Sequence, residues 1–274
     1  MKIKDILSKD ITSEQKLALG QVLNLSIPEL ILNKEQELTD KNYKKYKKID
    51  KKLKKGLPIQ YILKKSYFYD AEYYVNKNVL IPRPETEILV EKTHNLIKKE
   101  FKNQKLNILD IGTGSGVIAI ALYNLNNNYN ITATDISKTA LKVAKKNQKI
   151  HNTSIKFINT DLYKGINDKF DIIISNPPYI KDNSNKVEKK VKENEPLLAL
   201  YGGKEGLDYY ERILKNIKTI LNKKHLIAFE IGENQGEKIR KIVNKYLPND
   251  KVLVEKDYNG FDRYVFIKGS KLDE

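Results

Sequence analysis

The run Ser175-Asn176-Pro177-Pro178-Tyr179 follows the apolar residues Ile172-Ile173-Ile174 and brings together an amide, two rigid prolines and an aromatic ring. Those residue types suit the gripping of a planar NH2 group. The nitrogen of an amide or an aromatic amine is a poor nucleophile because its lone pair is delocalised, so it must be held and repolarised before it attacks. The side-chain oxygen of Asn176 and the backbone carbonyl of Pro177 are both acceptors. Together they can take the two hydrogens of one NH2 group and aim its lone pair outward. Pro177 and Pro178 fix φ and stiffen the turn, and Tyr179 offers a π face to a planar group. An isolated Asn-Pro is just as readily a plain turn, so the reading depends on the rest of the chain.

Upstream, Leu109-Asp110-Ile111-Gly112-Thr113-Gly114-Ser115-Gly116 precedes the apolar stretch Val117 to Leu122, a pattern of strand, glycine turn and helix. Glycines let the backbone approach a ligand and take positive φ, and the helix N-terminus offers unpaired N–H groups. The dinucleotide fingerprint needs glycine at its sixth place, where Val117 stands, so Gly-x-Gly-x-Gly is a different cradle. Asp135 ends the next apolar run, where a carboxylate can accept from both hydroxyls of a ribose. Asp161-Leu162 ends a third run; the acid can accept from an adenine amino group while Leu162 packs on the ring, although Asp is also a common turn residue. Four strand ends carrying Asp110 and Gly112, Asp135, Asp161 and Asn176 point to a nucleoside ligand beside a gripped NH2 group.

The elements that must position these groups follow from periodicity. From Leu106 strands and helices alternate, with strands expected near 106–111, 131–134, 155–159, 170–175, 225–231, 251–255 and 264–268. That pattern predicts an α/β, doubly wound parallel sheet. Residues 1–65 read as short amphipathic helices: Thr12 with Gln15 caps one, Ser26 with Pro28 starts another. A third spans Asp40 to Lys55, with Tyr43, Tyr46, Ile49 and Leu53 on one stripe. The lysines between them form a solvated face or a partner contact. Tyr67-Phe68-Tyr69 and Tyr73-Tyr74-Val75 suggest a β-hairpin, and Ile81-Pro82-Arg83-Pro84 an extended segment before a helix from Thr86 to about Glu100. Between Ile180 and Gly206 lies a long polar stretch with Lys186, Glu188, Lys189, Lys190, Lys192, Glu193 and Glu195. Its length and place suggest a mobile loop over the substrate.

Gly112 to Gly116, Asp135, Asp161 and Asn176 to Tyr179 resemble the motifs of class I S-adenosylmethionine-dependent methyltransferases. Six further pieces resemble the peptide chain release factor glutamine N5-methyltransferase family. They are Gly56 to Ile62, Val79 to Glu87, Asn194 to Leu200, Gly202 to Leu207, Phe229-Glu230-Ile231-Gly232 and Asp262-Arg263. The block Ile81-Pro82-Arg83-Pro84-Glu85-Thr86-Glu87 is the most family-specific, whereas Asn-Pro-Pro-Tyr is shared with adenine N6 methyltransferases. One position departs: Lys64 stands where the family has glycine. The resemblance implies a seven-stranded Rossmann-like sheet with its last strand inserted antiparallel. It divides the chain into a helical substrate-contact domain (1–65), a hairpin linker (66–84) and a methyltransferase domain (85–274).

It also implies S-adenosyl-L-methionine as cofactor, held by Asp110, Gly112, Thr113, Gly114, Ser115, Gly116, Asp135, Asp161, Leu162 and Asn176. The implied substrate is the glutamine of the Gly-Gly-Gln tripeptide in class 1 release factors. Asn176, Pro177 and Tyr179 would be catalytic, with Pro178 beside them. Arg83 and Glu85 would lie near the substrate entrance. A ribosomal-protein glutamine methyltransferase and a DNA adenine N6 methyltransferase stay open as alternatives.

Composition agrees with an enzyme of this kind. In 274 residues there is no cysteine, which excludes disulfides, thiol nucleophiles and cysteine-bound metals. His94, His151 and His225 are scattered, so no metal is expected. The first residues lack an apolar signal core and no run is long enough for a membrane span, giving a cytoplasmic expectation with no membrane partner. The net charge of +16 suits an acidic or RNA-rich partner, but the lysines are spread among many acids and the chain is rich in Lys, Asn and Ile. Genome composition explains that equally well, and direct nucleic-acid binding is not required.

Overall fold

The computed structural model describes residues 1–102, 104–185 and 187–269. It forms two compact units, one of residues 1–65 with 189–194, the other of residues 66–188 with 195–274.

The first unit contains helices α1 (Ile3–Leu7), α2 (Ser13–Leu23), α3 (Ile27–Leu32), α4 (Asp40–Leu53) and α5 (Ile59–Leu63). The expected caps form. Thr12 and Gln15 make a reciprocal capping box, Ser26 does the same with Glu29, and Pro28 sits in the first turn of α3. Tyr46 of α4 is buried, and Tyr43, Ile49 and Leu53 pack beside it on a core that includes Ile6, Leu19 and Leu30. Asp50 joins that stripe as a buried acid, accepting from Gln15 at 2.6 Å and pairing with Lys54 at 3.0 Å. Lys64 caps α5 in the left-handed region, φ 60° and ψ 35°, the conformation for which glycine is the usual choice.

In the second unit, strands β1 (Ser66–Phe68) and β2 (Ala71–Tyr73) form the hairpin. It is tighter than its tyrosine pattern suggests, because Tyr69 and Asp70 make the turn, both at positive φ, as a two-residue hairpin loop requires. The main sheet comprises β3 (Asn107–Ile111), β4 (Asn130–Asp135), β5 (Ile155–Asn159), β6 (Phe170–Ser175), β7 (Leu221–Glu230), β8 (Lys251–Lys256) and β9 (Asp262–Lys268). Their order is β5-β4-β3-β6-β7-β9-β8, with β9 antiparallel between β7 and β8. β7 begins earlier than expected, since its polar start, Asn222-Lys223-Lys224, hides a strand that pairs Leu221 with Phe170.

Helices α6 (Pro84–Phe101), α7 (Val117–Leu125), α8 (Lys138–Ile150), α10 (Asp208–Lys215) and α11 (Gly236–Tyr246) complete the unit. Alternate residues of each strand feed two cores. Ile108, Ile172, Ile174, Ala228 and Phe266 join α6 and α7, while Leu109, Ile173, Ile227, Phe229 and Val265 join α10 and α11. Burial on both faces explains why these strands read as continuous apolar runs.

The polar stretch after β6 contains two short helical elements. It carries the short helix α9 (Lys189–Asn194), which belongs to the first unit, and a 3-10 turn at Leu197–Ala199. Within the first unit Lys190 pairs with Glu14 at 2.6 Å. Lys186 lies outside the described residues.

Candidate active site

β3 is the switch point of the sheet, with β4 on one side and β6 on the other. Ligands of such sheets bind beyond the carboxyl ends of the strands at that point. A cavity of about 210 Å³ opens there. Gly112 and Gly114 reach it after β3, Asp135 after β4, Asp161 and Leu162 after β5, and Ser175, Asn176, Pro177 and Pro178 at the end of β6.

The glycine turn divides its labour. Gly112 and Gly114 have φ of 74° and 56°, and a Cβ on either would meet open space, so backbone faces the cavity directly. Gly116 instead starts α7 at φ 84° and packs against Ala144. The Thr113 hydroxyl turns away from the cavity and donates to Asp110 at 2.6 Å. Asp110 is fully buried beneath the turn, and burial pushes its carboxyl up to about 7. The Ser115 carbonyl accepts from Asn147 of α8 at 2.9 Å. Asp110, Thr113, Ser115 and Gly116 therefore shape the turn, and only Gly112 and Gly114 of this group line the cavity.

Asp135 accepts one backbone N–H on each oxygen, from Ser137 at 2.7 Å and Gly114 at 2.9 Å. Burial raises its carboxyl against those bonds, and each oxygen keeps lone-pair capacity toward the cavity. Asp161 faces a partner the sequence did not reveal: both its oxygens accept from Arg212 of α10, at 2.7 and 2.8 Å. The pair is half-exposed, so it holds the carboxylate in place with little net energy.

Asn176 is oriented from behind. Its Nδ2 donates to Thr86 Oγ1 at 3.0 Å, and Thr86 donates to Glu230 Oε2 at 2.6 Å. Tyr179 donates from its hydroxyl to Glu230 Oε1 at 3.3 Å. Its ring packs on the core shared with α10 and α11 and does not line the cavity. The sequence placed that ring against the gripped group; the hydrogen bond to Glu230 draws it behind the turn instead. Glu230 is fully buried, and burial pushes its carboxyl up to about 7 while Thr86 and Arg263 pull it down.

The turn is braced from outside as well. A Cβ on Gly202 would strike the Pro178 carbonyl and one on Gly206 the Tyr179 carbonyl, so these glycines let a second segment lie flat on the turn. Gln235 donates to the Tyr179 carbonyl at 3.0 Å.

Arg83 and Glu85 do not meet in the cavity. The Arg83 guanidinium donates to Glu195 at 2.6 Å and to the Ile81 carbonyl at 3.0 Å. Glu195 in turn accepts from the Ile81 N–H at 3.0 Å, tying the segment before α6 to the segment after β6. Glu85 lines a separate acidic groove with Asp70, Glu87, Glu91 and Asp257. Sequence reasoning missed Thr86 and Glu230 as partners of Asn176. The available signal was a carboxylate between Phe229 and Ile231 at the end of an apolar strand, a position that burial makes costly unless the group is bonded. The histidines are engaged separately: His151 stacks on Tyr73, His94 meets Tyr129, and His225 bonds Asp250.

A methyltransferase from Pyrococcus furiosus has the same fold, with TM-score 0.53 and 18% identity over 77% of this chain and 93% of its own. Residues 86–198 match the Methyltransferase small domain family. The protein is a class I methyltransferase. Residues 9–63 match the PrmC N-terminal domain. The release factor glutamine methyltransferase of Bacillus cereus is 38% identical, over 92% of this chain and 90% of its own length. That of Streptococcus pneumoniae is 39% identical over 89% and 87%. The chain belongs to the release factor glutamine methyltransferase family. Among the described residues no helix is long and apolar enough to cross a membrane.

Proposed function

We propose that the protein methylates the side-chain amide nitrogen of the glutamine in the Gly-Gly-Gln tripeptide of class 1 peptide chain release factors, with S-adenosyl-L-methionine as methyl donor. The observation that carries the reading is the orientation of Asn176: its NH2 end is committed to Thr86, so an acceptor is left for the cavity. An acceptor pair, Asn176 Oδ1 and the Pro177 carbonyl, is what a primary amide NH2 requires.

The donor fits the residues present. Open backbone at Gly112 and Gly114, a carboxylate with remaining lone pairs at Asp135, and Leu162 beside Asp161 match an amino-acid tail, a ribose and an adenine in turn. When bound, S-adenosylmethionine supplies an electrophilic methyl group on a sulfonium. The protein's own work is placement: Asn176 and Pro177 hold the amide with its lone pair directed into the cavity, and Pro178 keeps the turn stiff. Tyr179 acts through Glu230. No dedicated base is needed, since an N-methylated amide cation is acidic enough to lose its proton to water.

The helical unit of residues 1–65 supplies the contact with the body of the factor, and its exposed lysines on α4 suit an acidic surface. The work is done in the cytoplasm. The test is mass spectrometry of a release factor incubated with the protein and S-adenosylmethionine. One methyl on the glutamine of the Gly-Gly-Gln peptide is expected. Its absence, with cofactor bound, would move the search to ribosomal proteins and DNA.

A further inference from the structure

Three elements distant in sequence meet behind Asn176. Thr86 stands in the first turn of α6, Asn176 follows β6, and Glu230 ends β7. Thr86 and Glu230 are both buried, at 4% and 1% exposure. A hydroxyl has a single proton, and that of Thr86 is given to Glu230 at 2.6 Å. What Thr86 shows Asn176 is therefore a lone pair, and only the NH2 end of a carboxamide can bond to it. The 3.0 Å contact from Asn176 Nδ2 is thus dictated by the carboxylate two groups away.

We propose that Thr86 and Glu230 are positioning residues that fix the polarity of the Asn176 amide, so that the cavity always receives an acceptor and never a donor. The proposal rests on Asn176 holding the target amide, as argued above.

The two ends of an asparagine side chain are nearly the same size, so packing alone does not choose between them. A reversed Asn176 would set its NH2 against the NH2 of the substrate, donor facing donor, and would favour a carbonyl instead. A carboxylate is the right terminus for the series because, once ionised, it only accepts. Tyr179 supports the same polarity: its hydroxyl donates to Glu230 Oε1 at 3.3 Å, which leaves Oε2 to accept from Thr86.

The test uses the full chain with a release factor as substrate. Thr86→Val keeps the shape and removes the lone pair. The NH2 end of Asn176 then does better facing water in the cavity, and a buried donor left unpaired disfavours the productive orientation roughly tenfold. We expect kcat to fall about tenfold, while cofactor Kd stays within about twofold, because only the grip on the substrate amide depends on which end of Asn176 faces the cavity. Thr86→Ser returns the hydroxyl and should restore kcat to within about threefold. A folded Thr86→Val protein turning over at the wild-type rate, or Thr86→Ser as slow as Thr86→Val, overturns the role. Should Thr86→Val not fold, Glu230→Gln decides. Its amide can offer either end to Thr86, so kcat should drop about threefold, and an undiminished kcat overturns the proposal. The wild type run alongside separates the two readings. Unmethylated glutamine in the wild type sinks the substrate together with the role built on it, whereas methylated wild type with undiminished Thr86→Val sinks the role alone.

Discussion

Replacing Glu230 by glutamine should change how stability depends on pH. Its carboxyl is buried at the end of β7 and raised from 4.5 to about 7, chiefly by burial. Between those two values the folded protein holds a proton that the unfolded chain has released. The unfolding free energy therefore falls as pH rises through the window. The stabilising contribution is complete below the unfolded value and is lost once pH passes about 7. One proton over about 2.5 pH units corresponds to about 3 kcal/mol. Glutamine carries no such proton, so its stability relative to wild type should rise by about 2 kcal/mol between about pH 5 and about pH 8, the part of the total that falls in that range. Asp110, also raised to about 7 by burial, acts alike in both proteins and cancels in the difference. Urea titrations of the two proteins across that range measure it. A difference constant to within about 0.5 kcal/mol, or one that falls with pH, would show that Arg263, Thr86 and Tyr179 hold Glu230 ionised in spite of its burial.

Asn176→Ala should abolish glutamine methylation and leave cofactor affinity within a few-fold, read by single-turnover kinetics beside calorimetry; turnover at the wild-type rate would refute its role. Asp135→Ala should weaken the cofactor by about tenfold or more, the loss of a charged hydrogen-bonding group, and a wild-type calorimetric Kd would refute that. Lys64→Gly should raise the stability of the helical unit by up to about 1 kcal/mol, since glycine takes the left-handed cap without strain. An unchanged urea midpoint would show that Lys64 bears no strain there.

The sheet and its ligand edge were legible because each strand is an apolar run ended by a polar or glycine residue, a pattern that burial on both faces enforces. Helix caps such as Thr12 with Gln15 were legible because their chemistry is local. What escaped depends on residues brought together from afar. Nothing near Asp161 announces Arg212, and nothing near Asn176 announces Thr86 or Glu230, which stand 90 residues before it and 54 after it. The family resemblance set Arg83 near the substrate entrance without showing which group its guanidinium meets. Only the fold reveals that Glu195 already claims it.

The order of strands has a consequence for the growing or shortened chain. β9 is made after both β7 and β8 yet enters between them, so the ribosome releases β7 with one side bare and β8 without the strand it pairs with. Until β9 arrives, the backbone from Leu226 to Glu230 is an open edge able to recruit any passing strand. A stop codon placed just before Asp262 would not trim a border. It would remove the strand that joins two others and leave a sticky, unfinished sheet for the cell's proteases and chaperones to sort.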